Sequence, residues 1–454
     1  MRIFIVCLFY LLIATLGNES FAMNSTGDTI FMSSKSNFSE FAKVKGSNGL
    51  RTVIYLKNDG IYYIGETLEI PSNVEIIGNG SVLKPILNWA KGTTSDTPLI
   101  SFVGKKNIVF KGLTIDFQGN NRKDNRIYCG LLLLASNNIT IQNVNFKNGG
   151  STLSSPPNSP YILIAAQDSP GDVSSLPKSY KNIIGSSYNN VIKNNLFDNT
   201  LSTTRFGIRV LTNWSMKRLQ QNFKNKSYNN IIEGNRFLGE FSWNTVELAG
   251  GGTVKNKIFN NYVKGRAVNM LDIDKGASYN IIEKNTIEDS GLPERYKNEV
   301  NVRCSPISVQ GMMNNYYSQS NQVLNNTIRN ISNPKSNNSK YYFSSAIMTS
   351  IVNGVIIKGN KISNIYQDGS YQKGKNYGFG IAIHDFSNNV EIESNTIDKV
   401  NIAIGANWQK GNGEAITIRN NNIDFVRQAI REPNSSLGKS KFNMINNTTK
   451  SLVR

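Results

Sequence analysis

One phrase recurs along the chain: apolar residues, one or two polar ones, an asparagine, a single residue, then another apolar side chain. It reads VIKNNLF at 191–197, IIEGNRF at 231–237, IFNNYV at 258–263 and IIEKNTI at 281–287. It returns as VLNNTI at 323–328, IIKGNKI at 356–362, EIESNTI at 391–397 and TIRNNNI at 417–423. Looser copies are NIVFKGLTI at 107–115 and NITIQNVNF at 138–146. The recurring asparagines are Asn195, Asn235, Asn261, Asn285, Asn326, Asn360, Asn395 and Asn421, spaced 24 to 41 residues apart. Apolar positions alternate with polar ones, and Asn and Gly crowd the gaps, so the unit is made of short strands. Self-similarity at this period predicts a solenoid, here a parallel β-helix whose inward Ile, Val, Leu and Phe stack from coil to coil. The asparagine column predicts a hydrogen-bonded ladder at one bend, where Asn tolerates left-handed geometry.

The strands between these phrases assign side chains to faces, because alternate residues point in opposite directions. FGIRVL at 206–211 puts Ile208 and Val210 inward and Arg209 outward, and NTVELAG at 244–250 puts Glu247 outward. NMLDIDK at 269–275 buries Leu271 and Ile273 and turns Asp272 and Asp274 out; SPISVQG at 305–311 turns out Ser308 and Gln310. Neighbouring strands lie about 4.8 Å apart and alternate residues about 6.6 Å, so Glu247, Asp272 and Asp274 are expected within about 5–8 Å of one another. Like charges that close raise a carboxyl pKa or bind a cation.

Three readings of this cluster stay open. Two of the acids form a glycosidase acid and base, for which carboxyl spacings of about 5–9.5 Å are suitable. Alternatively all three hold Ca²⁺, a cation that takes oxygen ligands, with Lys275, Arg209 or Arg266 as base or charge clamp for β-elimination. In the third they are ordinary surface ion pairs with Lys275, Arg266, Arg205 and Arg209. His384, the one histidine, is expected at the surface some three coils from Asp274.

Composition narrows the partner. The 454 residues carry 50 Lys+Arg against 31 Asp+Glu, a formal net charge of +19. Such a surface calls for a polyanion: nucleic acid, acidic lipid or acidic polysaccharide. The N-terminal MRIFIVCLFYLLIATLGNESFA has a basic start, an apolar run and a small-x-small end at Ala22, the pattern of a cleaved export signal. Export argues against an intracellular nucleic-acid partner and predicts a secreted or periplasmic protein with no membrane span after cleavage. Residues 23–50 are expected as lead-in and cap, and 51–454 as one β-helix domain. Cys7 lies in the signal; Cys129 and Cys304 are expected as buried small apolar side chains.

Three insertions, near 212–228, 291–304 and 366–379, lengthen the repeat. The first carries Trp214, Lys217, Arg218, Phe223, Lys224, Lys226 and Tyr228; the second carries Tyr296 and Arg303. Rings that stack on sugar faces, interleaved with cations that pair with acid groups, suit an acidic polysaccharide. Trp214, Lys217, Arg218, Arg205, Tyr296, Arg303 and Gln310 are the candidate substrate-binding residues.

The entry segment, 52–86, carries Thr52, Gly60, Tyr62, Pro71, Asn73, Gly78 and Gly80 at strand and turn positions. It resembles the start of the pectin-lyase-like right-handed parallel β-helix proteins, and the resemblance extends over roughly 45–450. It implies an all-β, right-handed solenoid, and a function among polysaccharide lyases, glycoside hydrolases, methylesterases, epimerases, tailspikes and adhesins. The fold does not choose between them. The D-P-H-D motif of alginate epimerases is absent, which counts against that activity. The favoured expectation is a lyase on a uronate-bearing chain, because elimination needs positive charge beside the carboxylate at C5. A glycoside hydrolase or a non-catalytic exopolysaccharide-binding protein is the alternative.

Overall fold

A computed structural model describes residues 29–33, 51–87, 97–119, 127–149, 160–173, 176, 178–213, 223–293, 296, 305–312, 316–333, 344–367, 378–407, 413–432 and 442–450. The proposed signal lies outside them. The strands form a right-handed parallel β-helix. A 17-stranded and a 23-stranded sheet make its main walls, with a short 3-stranded sheet at one turn, and every strand pairing in them is parallel. One coil shows the plan. Lys257–Phe259 runs in the first sheet, then Tyr262–Arg266 and Asn269–Asp274 in the second. Thr29–Met32 pairs in parallel with the 52–56 strand, Thr29 opposite Val53, so it joins the stack.

Inward residues of successive coils lie in register. Ile192, Ile232, Ile258, Ile282, Val323, Ile357, Ile392 and Ile418 form one buried column. Ile208, Val246, Leu271, Ile307, Ile347, Ile381 and Ile404 form another. Phe146, Phe197 and Phe237 stack in a third, at ring separations of 4.7 and 4.6 Å. Branched side chains at these positions are stiff and fill the narrow interior at little entropic cost.

The asparagine ladder is present and buried. Asn195 Nδ2 donates to Asn235 Oδ1 at 2.9 Å, Asn235 to Asn261 at 3.0 Å, and Asn261 to Asn285 at 2.9 Å. Each also donates to a carbonyl of a preceding coil, as Asn195 does to Ile141 at 3.0 Å. The left-handed residue, however, is the one before each ladder asparagine. Asn194, Gly234, Asn260 and Lys284 carry φ of 55°, 64°, 54° and 54°. The preceding residue makes the turn, and the ladder asparagine satisfies the backbone groups that the turn exposes to the core. A second buried ladder, Asn190–Asn230–Asn256–Asn280, bridges another bend. It sits five residues upstream of the first in each coil.

Candidate active site

The outward column of the second sheet is set by strand register. Arg209 lies opposite Glu247, Glu247 opposite Asp272, and Asp272 opposite Ser308. Ala249 lies opposite Asp274. The predicted facing is therefore correct, but outward does not mean solvent-exposed here. Arg209, Glu247 and Asp272 are 3 %, 1 % and 2 % exposed, and only Asp274 is half-buried.

Neighbouring packing explains this burial. Leu132, Leu134, Leu163, Leu211 and Ala249 also face outward, and they form a second apolar cluster with Val173, Leu176 and the partly buried Tyr180 and Ile183. The 166–185 segment thus covers the column on the N-terminal side of the acids. Gln167 Nε2 braces that segment by donating to the carbonyls of Lys181 and Ile183 at 2.9 and 2.6 Å. On another flank, Val268, Leu292 and Tyr296 pack with Trp243.

Within the column, Arg209 Nε donates to Glu247 Oε2 at 2.5 Å, and its guanidinium lies 4.0 Å from the centre of the Phe206 ring. Asn244 Nδ2 donates to Asp272 Oδ2 at 2.9 Å and reaches Glu247 Oε1 at 3.4 Å. Gln310 Nε2 donates to Ser308 Oγ at 2.6 Å and lies 3.5 Å from Asp272 Oδ1. Lys275 donates its backbone N–H to Asp274 Oδ1 at 2.7 Å and holds its ammonium 3.5 Å from Asp274 Oδ2. One oxygen from each of Glu247, Asp272 and Asp274 lies within 4.8 Å of the others, tighter than the strand spacing alone predicted.

Burial and crowding set the protonation. Burial lifts the Asp272 carboxyl well above the usual carboxylate range, and the charges of Asp274 and Glu247 add to the rise. Burial pushes Asp274 up to about 6 against the opposing pull of Lys275, with Glu247 raising it further. Of the ion pairs that the third reading named, Lys275–Asp274 is present and partly exposed, whereas Arg209 is paired with Glu247 but buried.

The other candidates are dispersed. Arg205 is half-buried, its guanidinium 5.2 Å from the Trp243 ring centre and 5.6 Å from that of Phe206. Arg266 is exposed on the preceding strand, opposite Glu240. Tyr296, expected to present its ring to a sugar, is instead buried. Its hydroxyl donates to the Ser242 carbonyl at 2.5 Å and its ring meets Trp243 edge-on at 6.2 Å, so it anchors its own loop to the coil. Trp214, Lys217, Arg218, Arg303, Cys304 and most of the third insertion lie outside the described residues. Cys129 is a buried free thiol, its pKa pushed up by that burial.

His384 corrects an expectation: it is buried, not on the surface. Register carries the Asp274 row through Gln310 and Ser350 to the His384 position, three coils and about 14 Å away. Asn244 was not anticipated. Its signal was available, since NTVELAG and NMLDIDK both open on asparagine and the structure pairs Asn244 with Asn269.

No family model and no curated protein matches this sequence. Similarity appears in the fold. An alginate lyase of family PL6, solved in complex with a trisaccharide, superposes with a TM-score of 0.51 at 14% identity, over 95% of this chain and 87% of that one. PfbA, a surface adhesin of Streptococcus pneumoniae, superposes with a TM-score of 0.50 at 16% identity, over 88% of this chain and 82% of that one. The chain therefore has the right-handed parallel β-helix fold, which serves an enzyme in one of these two structures and an adhesin in the other. Among the described residues, no helix is long and apolar enough to cross a membrane.

Proposed function

We propose that this protein cleaves an acidic, uronate-bearing polysaccharide by β-elimination, at the site formed by Glu247, Asp272, Asp274, Arg209 and Lys275. The observation that carries this reading is the convergence of three carboxylates within 4.8 Å beside a half-exposed lysine. Arg209 and Lys275 offset two of the three negative charges. A uronate would still be repelled unless a divalent cation joined the site. The donor set fits Ca²⁺, because all three side chains offer oxygen and burial excludes competing water. A bound Ca²⁺ would supply Lewis-acid charge that neutralises the substrate carboxylate and acidifies the C5 hydrogen.

The chain's own groups then divide the work. Glu247 and Asp272, fixed by Arg209 and Asn244, set the rear of the site. Lys275 stands at the open edge, where its Nζ, once it has given up its ammonium proton to solvent, takes the C5 proton. The C5–H electron pair becomes the new C4–C5 double bond, and the C4–O bond breaks with its pair leaving on oxygen. Arg266 lies farther off and is proposed only as an electrostatic contributor at long range.

One observation favours a second reading. Burial and the charges of Asp274 and Glu247 raise the Asp272 carboxyl, and burial pushes Asp274 beside it up to about 6, and two crowded carboxyls of this kind suit a hydrolytic acid and its partner carboxylate. Carboxylate oxygens within 4.8 Å of one another are nearer to the retaining geometry of about 5–5.5 Å than to the inverting one of about 6.5–9.5 Å. The signal-like N-terminus supports action outside the cytoplasm or in a periplasm, and the charge of +19 supports the acidic polymer.

The test is incubation of the mature protein with pectate, alginate and glycosaminoglycan polymers, with and without EDTA. Ultraviolet absorbance of unsaturated uronate that EDTA abolishes supports the Ca²⁺-assisted lyase. Shortening without absorbance identifies the hydrolase. Binding without shortening identifies a polysaccharide-binding protein and overturns both.

A further inference from the structure

Several cations along the 17-stranded sheet are neutralised by acids. Lys111 and Arg51 meet Glu75, Lys257 meets Glu283, Lys358 meets Glu393, and Arg419 meets Glu391 and Glu393. One group of lysines is arranged differently. Lys178, Lys224, Lys226 and Lys255 are exposed and Lys181 is half-exposed, and none of the five is in an ion pair among the described residues.

Their backbones are knitted into one surface. Asp168 accepts from the backbone N–H of Lys224 at 3.1 Å and of Asn225 at 2.5 Å. Asn225 Nδ2 donates to the Gln167 carbonyl at 3.3 Å, and Gln167 Nε2 donates to the Lys181 carbonyl at 2.9 Å. The Lys226 N–H donates to Ser186 Oγ at 3.1 Å. Ser227 then pairs with Thr253, two residues before Lys255. The carboxylate at the centre, Asp168, is thus engaged by backbone N–H groups. Beside the lysines, Tyr188 and Tyr228 stack at 4.9 Å and 10°, both half-exposed.

The strip lies a few residues and one coil from the carboxylate site. A Cβ placed on Gly252 would meet Phe223 at 3.1 Å, so the start of the 223–226 segment lies directly on Gly252. Gly252 follows Ala249 by three residues, and Ala249 is the register partner of Asp274. Clustered, unpaired ammonium groups repel one another in the absence of a polyanion, and the tyrosines add flat, amphipathic contact area that suits sugar rings. In the strip Ile184 is the exposed large apolar side chain, too little to enter a bilayer.

We propose that Lys178, Lys181, Lys224, Lys226 and Lys255, with Tyr188 and Tyr228, form a second binding surface for acidic polysaccharide outside the cleavage site. The partner class rests on the function proposed above. The strip holds a long chain while one of its sugars lies at Asp274 and Lys275. Short oligosaccharides occupy the site without touching it.

The test compares the wild type with a K224A/K226A/K255A variant of unchanged melting temperature. Long-chain alginate and pectate, and tetrasaccharides of each, are the probes. The strip predicts that long-chain affinity falls by about tenfold or more and loses most of its salt dependence, while tetrasaccharide turnover is unchanged. Unchanged long-chain affinity in the variant overturns the proposal. So does wild-type preference for duplex DNA or anionic vesicles over both polymers. Lysine-dependent binding of a polymer that is never cut keeps the strip and removes the cleavage reading. Cutting that proceeds with unchanged long-chain affinity in the variant does the reverse.

Discussion

Arg209 Nε lies 2.5 Å from Glu247 Oε2, and both side chains are removed from water although both point away from the β-helix core. A buried ion pair is costly to assemble and costlier to break, because either partner left alone is an uncompensated charge. Arg209→Ala is expected to destabilise the fold by about 3–5 kcal/mol in denaturant unfolding. An Arg209→Met, Glu247→Leu double variant is expected to recover much of that loss. Additive losses in the double variant would show that the pair is not acting as a unit.

The aspartates make stability depend on pH. Burial pushes the Asp274 carboxyl up to about 6 in the folded chain against 3.8 as its ordinary value, and Asp272 is displaced in the same direction. Their protonated forms therefore add stability that is full below the ordinary value and lost as pH rises through the folded one. In EDTA the protein is expected to melt several degrees lower at about pH 7.5 than at about pH 5. Asp274→Asn should flatten that slope. A melting temperature that rises over the same interval would contradict the crowding of these acids.

Calcium should reverse the loss. Occupancy at a hundred times the dissociation constant adds about 2.7 kcal/mol of stability. A calcium titration at about pH 7.5, followed by thermal melting, is expected to show this gain in the wild type and not in an Asp272→Asn, Asp274→Asn variant. Equal shifts in both proteins would place the cation elsewhere.

Lys275 is the group proposed to take the proton. Lys275→Ala is expected to lower kcat by roughly 10²–10⁴ with little change in KM, read from initial rates of unsaturated product. A change confined to KM would make it a binding group.

The ladder tests the scaffold apart from the site. Asn285 Nδ2 donates to Asn326 Oδ1 at 3.0 Å and to the Ile258 carbonyl at 3.0 Å, while its own Oδ1 accepts from Asn261. Asn285→Ala leaves these buried groups unpaired and is expected to cost about 1–3 kcal/mol in unfolding free energy. A neutral effect would mean that the ladder is decorative.

Much of this was legible because a solenoid writes its structure locally. The phrase IIEGNRF and its copies specify an inward apolar pair, a turn and an asparagine, and each coil repeats the demand. Alternation within NMLDIDK assigned Asp272 and Asp274 to the outer face, and strand spacing brought Glu247 near them. Tyr296 shows the opposite case. Its loop composition pointed to a sugar contact, but its hydroxyl is spent on the Ser242 carbonyl. No local pattern announces which backbone carbonyl a loop tyrosine will find.

The sequence by itself determined the coil, its period, one asparagine ladder and the facing of the strands that carry the acids, because period-two alternation and turn chemistry act over a few residues. Only the tertiary structure decided what that outer face meets. Val173, Leu176, Tyr180 and Ile183, distant in sequence from Glu247 and Asp272, cover the outward leucines of the same column, and the acids themselves are buried. Burial then raises the carboxyl pKa values and makes the Arg209 contact strong. Such effects depend on which loop covers which column, and that follows from packing across coils.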